Sequence, residues 1–202
     1  SRAPDLKQPE AIDLLRGLVR QCDVVVENFR PGTMRKIGLD YPRLKVEKPD
    51  LIYCAISGFG QSGPGAGRPA YAPIVHAASG YDLANMKYQA GATKPANTSI
   101  FVADILAGAL AASGIQTALI HRLRTGEGQV VDTALMDGML SLMIHEVQAA
   151  QFPVDRRRPV YGPVAAADGF IIAAPITHGN FQALARATGN PGWLTDPRFA
   201  KP

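Results

Sequence analysis

A single carboxylate, Asp104, interrupts an apolar stretch of small residues, with Val102, Ala103, Ile105 and Leu106 around it. A charge in such surroundings needs a reason. Two reasons are open. The carboxylate can satisfy backbone N–H groups and the dipole at the start of a helix. It can also be a nucleophile, made reactive by desolvation. Spacing alone does not decide between them.

The other candidate chemistries are weaker. Residues 58–67 (GFGQSGPGAG) resemble a phosphate loop, but Arg68-Pro69 stands where G-x-x-x-x-G-K-[ST] needs Lys and Ser or Thr. Pro64 breaks a G-x-G-x-x-G reading. What remains is a flexible loop after a strand, which is still where α/β sheets place ligands. The histidines at 76, 121, 145 and 178 are dispersed and form no H-E-x-x-H pair, so no metal site is expected. No G-x-S-x-G elbow is present, so a hydrolase serine is not indicated. Cys22 and Cys54 lie in apolar runs without ligand spacing, which argues against disulfides and zinc and for a reducing, cytoplasmic setting.

These residues need elements to hold them. Helical spacing covers residues 9–21, and a β-branched run at 22–29 reads as a buried parallel strand. Short helices are expected at 33–37 and 41–47, and a second apolar strand at 50–60. After the glycine loop come a helix at 71–79, a polar segment to 98 and a long helix at 100–123. A strand at 129–135 follows, then one Met-rich helix at 136–150 in which Met136, Met139 and Met143 form a core stripe. Alternating helices and strands imply an α/β fold, a doubly wound open sheet. The three prolines and the Arg156–Arg158 triplet within residues 151–168 mark a boundary. The expected domains are therefore 1–150 and 151–202, the second too short to be complete. A strand at 170–174, a helix at 179–188 and a capped turn at 193–199 close the chain.

The chain has 202 residues, of which 47% are hydrophobic and 19% charged, a globular balance that excludes disorder. The net charge of +4 is mild and suits a polyphosphate ligand; no basic run is interleaved with aromatics, so nucleic acid is not expected. The apolar stretch 100–120 has the length of a membrane span. Asp104 and the Ala/Gly richness favour a buried helix instead, and no membrane partner is expected.

Read in order, the segments 27–32 (ENFRPG), 57–64 (SGFGQSGP), 68–71 (RPAY), 78–80 (ASG), 103–108 (ADILAG) and 122–132 (RLRTGEGQVVD) closely resemble the family III CoA-transferases of CaiB/BaiF type, including formyl-CoA transferase. Asp137, residues 167–169 (ADG) and 196–199 (DPRF) extend the resemblance over nearly the whole chain. The pattern is joined about one strand-helix-strand unit in and left after a second domain has begun, so a fragment of a longer protein is expected.

The resemblance implies a Rossmann-like CoA-binding α/β domain, the start of a smaller α+β domain, and an interlocked homodimer. It implies transfer of coenzyme A between an acyl-CoA and a carboxylic acid through an aspartyl-CoA thioester, with no metal. Asp104 takes the nucleophile's position. Lys7, Lys36 and Arg68 fall where the family places cations for the CoA phosphates. Asn28 and Phe29 match residues lining the CoA site, Leu135 an apolar wall near the thiol, and Tyr71 an aromatic near the acyl group.

Two departures stand out. Ala72 replaces the acidic residue that usually follows Tyr71, and residues 151–155 (QFPVD) stand in place of a glycine-run loop that shields the site. The alternatives are an α-methylacyl-CoA racemase-like epimerisation, which uses a His/Asp pair but finds no His in 58–70, and an inert fragment or dimerisation module.

Overall fold

Three apolar segments form the parallel strands β1 (Val24–Glu27), β2 (Ile52–Ser57) and β3 (Val130–Ala134), hydrogen-bonded in the order β1-β2-β3. The computed structural model describes residues 5–89, 91–96, 98–153 and 162–199. β2 is the middle strand and is buried along almost its whole length, which is why its sequence is apolar without alternation. The register aligns Val25, Tyr53 and Val130 in one row, and Glu27, Ala55 and Asp132 in the next row on the same face.

Helices cover both faces. α1 (Pro9–Val19), α2 (Thr33–Lys36) and α3 (Tyr41–Glu47) surround one core, where Ile12, Leu15, Leu39 and Leu44 pack on Tyr53 and Ala55. Ile56 points to the opposite face because side chains alternate along a strand. There it meets a second core of Ala72, Val75, Ala103, Ala107, Leu135 and Met139. These residues come from α4 (Ala72–Ser79), α6 (Val102–Thr125) and α7 (Leu135–Leu142), with α5 (Tyr81–Lys87) and α8 (Ile144–Gln151) beside them in sequence. The mixed α/β expectation therefore holds, with a small parallel sheet.

α6 runs antiparallel to the strands. Near its C-terminus, Arg122 reaches Asp23 at 3.0 Å and Asp50 at 3.7 Å, both just before their strands begin. In mid-strand a Cβ on Gly114 would lie 2.6 Å from Val131 Cγ1, so only glycine lets the helix come this close. Beyond the strand ends, Gly138 of α7 packs against Leu106. The start of α6 thus stands on the carboxyl side of the sheet.

In the first unit of the chain, four readings of the sequence need correction. The polar segment 80–98 contains a helix, α5, whose Tyr81 ring stacks on His76 at 5.2 Å. The Met-rich segment is two helices, because Met143 leaves helical geometry (φ −102°, ψ 36°). Cys22 is exposed, since β1 begins only at Val24; Cys54 is buried. α6 is not buried all round. Its stripe of Ala103, Ala107, Ala111 and Ala118 is buried, while Ile105, Leu110, Ile120 and Leu123 are exposed. By length and composition α6 could cross a membrane. Its alanine stripe is instead committed to β2, β3, α4 and α7.

The chain divides into two compact units, Ser1–Lys87 with Gly91–Gln148, and Tyr88–Ala90 with Ala149–Pro202. The second holds the antiparallel pair β4 (Pro163–Ala165) and β5 (Phe170–Ile172) and the helix α9 (His178–Ala187). Thr177 caps α9 by accepting the Asn180 N–H at 3.1 Å. Two 3₁₀ turns, Pro191–Leu194 and Pro197–Phe199, replace the single turn expected at 193–199, and their Trp193 and Phe199 rings stack together with Phe181. β4 was not anticipated within 151–168, and the Arg156–Arg158 triplet lies outside the described residues.

Candidate functional site

The strands end at Glu27, Ser57 and Ala134, and the segments that leave them carry most of the candidate residues. After β1 the chain turns through Asn28, Phe29, Arg30 and Pro31 into Gly32, whose φ of 86° requires glycine. Glu27 fixes the start of this turn: its Oε2 accepts the Phe29 N–H at 2.8 Å. Asn28 and Phe29 are exposed, and Lys36 is exposed on α2 directly after the turn.

After β2 comes the glycine loop. It is held at two points. The Gly58 carbonyl accepts the Met136 N–H at 3.1 Å, and Asp132 Oδ2 accepts the Gln61 N–H at 3.0 Å. A Cβ on Gly58 would collide with Ala70 Cβ, so the two ends of the loop lie close together. Arg68 is exposed near the far end, and Tyr71 is 71% exposed where the loop enters α4.

Asp104 is the third residue of α6 and is exposed. Among the described residues no donor reaches its carboxylate, so it does not cap its own helix. The first amides of α6 are met otherwise: Val102 N–H by the Ile100 carbonyl at 3.0 Å, Ala103 N–H by His76 Nε2 at 3.1 Å, and Ile105 N–H by the Phe101 carbonyl at 3.2 Å. The structure thus brings Asn28, Phe29, Lys36, Arg68, Tyr71 and Asp104 to the carboxyl side of one sheet, where α/β folds bind ligands.

Two expected residues differ in kind. Leu135 is 7% exposed and sits in the core with Ala103, Ala107 and Met139. It supports the helix that carries Asp104 from below. Lys7 is exposed just ahead of α1, and its own N–H bonds Asp5 at 3.1 Å.

Three residues of the site were not singled out from the sequence: His76, Glu27 and Asp132. All act on backbone amides, which leave no spacing signal. Glu27 is 8% exposed. Burial pushes its carboxyl above the usual value; the Phe29 amide works against this, Asp132 adds to the rise, and the Tyr53 hydroxyl also opposes it. Burial and the nearby Glu27 and Asp40 charges push the Tyr53 phenol up. Burial also raises the Cys54 thiol, which makes it a packing residue rather than a nucleophile. Among the described residues no cluster of His, Cys, Asp and Glu could hold a metal. An open cavity of about 390 Å³ in the second unit is lined by Ala173, Pro175, Asn180, Leu184 and others and presents no charged group.

Fold and site together define an α/β unit in which the loops after β1 and β2 and the start of α6, with Asp104, lie on the carboxyl side of one parallel sheet. Comparison with known proteins places it. The family model described as CoA-transferase family III matches residues 1–202. The chain belongs to this family. It is 39% identical to a succinate–glutarate CoA-transferase of Agrobacterium fabrum over 97% of this chain and 50% of that protein. It is 37% identical to an acetyl-CoA:oxalate CoA-transferase of Acetobacter aceti over 91% of this chain and 49% of that protein. Among solved structures, a CaiB/BaiF family protein from Brucella suis is 35% identical with a TM-score of 0.75, covering 98% of this chain and 54% of that one. The chain spans about half the length of the curated relatives it matches.

Proposed function

We propose that this chain is the nucleophile-bearing part of an enzyme that transfers coenzyme A between an acyl-CoA and a carboxylic acid. The observation that carries the reading is the position of Asp104, at the start of α6 on the carboxyl side of the sheet, in a chain of this family. The relatives' names point to small dicarboxylic acids such as succinate, glutarate and oxalate as the acids to try first.

The steps balance without a redox partner. An Asp104 oxygen attacks the acyl-CoA carbonyl; the C–S bond breaks, leaving a mixed anhydride and CoA thiolate. The thiolate attacks the aspartyl carbonyl and releases the first carboxylate, giving an aspartyl-CoA thioester. The acceptor carboxylate attacks that thioester, forming a second anhydride, and returning thiolate takes the new acyl group and frees Asp104. Covalent catalysis splits one exchange into easier steps. Lys36 and Arg68, with Lys7, supply charge for the CoA phosphates, and Asn28, Phe29 and Tyr71 line the approach.

Water must be kept from the anhydrides and thioester. Asp104 is exposed on this chain, so its cover comes from elsewhere, and a second copy is the proposed source. Light scattering on the full-length protein should give a dimer mass; a monomer would count against it.

Racemisation fits less well. It needs a histidine free to exchange a substrate proton, whereas His76 is 2% exposed and its Nε2 is occupied by the Ala103 N–H. The test is to incubate the full-length protein with succinyl-CoA, trap with hydroxylamine and map the modified peptide. Asp104→Ala and Asp104→Asn should abolish transfer, with a loss on the order of ~10⁶ as when a catalytic unit is broken. Were Asp104 only a helix-end carboxylate, Asp104→Ala would cost about 0.3–1 kcal/mol of stability through the lost dipole interaction and leave activity in place. Modification at Asp132 or Asp137 would overturn the assignment.

A further inference from the structure

The Ala103 N–H donates to His76 Nε2 across 3.1 Å, linking α4 to the first turn of α6. A backbone N–H only donates, so Nε2 carries a lone pair and the neutral ring holds its proton on Nδ1. The ring is 2% exposed and is backed by Tyr81, whose ring centroid lies 5.2 Å away. No side chain caps α6 at Phe101, so among the described residues His76 is the side chain that satisfies this helix start. The amide it holds belongs to the residue immediately before Asp104.

We propose that His76 is a positioning residue for Asp104: by anchoring the Ala103 amide from the neighbouring helix α4, it fixes the direction from which the carboxylate meets the acyl carbonyl. The inference rests on the nucleophile reading above. Small displacements of a reacting group cost rate more than affinity, because near-attack geometry is lost while the rest of the binding site is unchanged. His76 therefore acts on the formation of the covalent adduct and not on CoA binding.

The experiment follows hydroxylamine trapping at Asp104 in the full-length protein with succinyl-CoA as probe. His76→Leu and His76→Met remove the acceptor while filling the ring's space; His76→Gln restores an acceptor through its side-chain carbonyl. Both non-accepting variants should slow adduct formation by about 10- to 100-fold with little change in KM. His76→Gln should recover to within a few-fold of the parent. Two non-accepting variants keep the test decisive if one fails to fold, as read by circular dichroism. Adduct formation at the parent rate in a folded His76→Leu or His76→Met protein would overturn the inference and leave the nucleophile standing. Equal slowing in His76→Gln would also overturn it, since packing alone would then explain the residue. Absence of any Asp104 adduct in the parent protein overturns the nucleophile reading and this inference with it.

Discussion

Glu27 and Asp132 stand in one row of the sheet, each paired with Ala55 of the strand between them. Parallel partners in register point to the same face, and strands lie about 4.8 Å apart, so the two carboxylates flank a single small side chain. Each then accepts from a backbone amide, Glu27 from Phe29 in the loop after its own strand and Asp132 from Gln61 in the loop after the neighbouring β2. The two loops at the carboxyl edge are thus tied to the sheet by matching carboxylate–amide bonds.

Loss of the Asp132 tie should free the glycine loop. Asp132→Ala is expected to speed hydrogen exchange at the Gln61 amide by up to ~10-fold, since a hydrogen bond to a charged partner contributes a net of about 1.5–3 kcal/mol and less at an exposed position such as this one. In the full-length protein, KM for acyl-CoA should rise more than kcat falls. Asp132→Asn keeps an acceptor and should fall between. Unchanged exchange at Gln61 would show that the loop is held by Gly58 and Met136 alone.

Glu27 gives a pH signature. Its carboxyl is raised, chiefly by burial. A carboxyl raised on folding binds protons more tightly in the folded state, so the stability linked to it is fully present below the ordinary value of 4.5 and is lost as pH rises through the folded value. Glu27→Gln is always neutral and can still accept the Phe29 N–H. Its urea midpoint should match the parent's at about pH 4 and exceed it at about pH 7, where the parent must hold a buried charge. A midpoint difference that does not change with pH would sink this account.

The sequence made the sheet legible because its strands are short β-branched or apolar runs bounded by Gly and Pro, as at residues 52–57. Strand ends were overestimated: β1 stops at Glu27 because that side chain bends to its own loop. α5 was missed because its helical residues, Tyr81–Lys87, show no apolar stripe and are held from one side, through Tyr81 on His76. The break at Met143 was missed because neither Gly nor Pro marks it. Asp104 was conspicuous as a charge among alanines, and Asn28 and Phe29 as part of a motif. His76 looked like one of four scattered histidines, since its partner is a backbone amide 27 residues away.

The exposed cations Lys36 and Arg68 predict a salt-sensitive KM. Lys36→Ala in the full-length protein should raise KM for acyl-CoA several-fold with a smaller effect on kcat, because a phosphate contact made equally in ground and transition states contributes to binding alone. The ratio of variant to parent KM should shrink at about 1 M salt, where the screening length falls to about 3 Å. A ratio independent of salt would place Lys36 away from the phosphates.

Gly128 sits where the turn after α6 enters β3, and its role is steric. Its N–H donates to the Pro49 carbonyl at 3.1 Å, and its own carbonyl accepts the Tyr41 hydroxyl at 3.2 Å. A Cβ there would collide with the Leu51 carbonyl oxygen, a backbone atom that cannot swing aside as a side chain could. Leu51 is fully buried beneath β2 in the core shared with Leu44 and Tyr53. Gly128→Ala must therefore push β3 away from the entry of β2 or break the Tyr41 bond, and overpacking of this kind costs about 1–3 kcal/mol or more. The neighbouring Gly126, with φ 78°, faces open space, so its alanine variant pays only the left-handed backbone strain, about 1–2 kcal/mol. Denaturation of the two variants side by side should show Gly128→Ala the less stable, with faster amide exchange along Tyr53–Ser57 in that variant alone. The reverse order would mean that the turn conformation, and not the close approach of backbones, makes glycine necessary here.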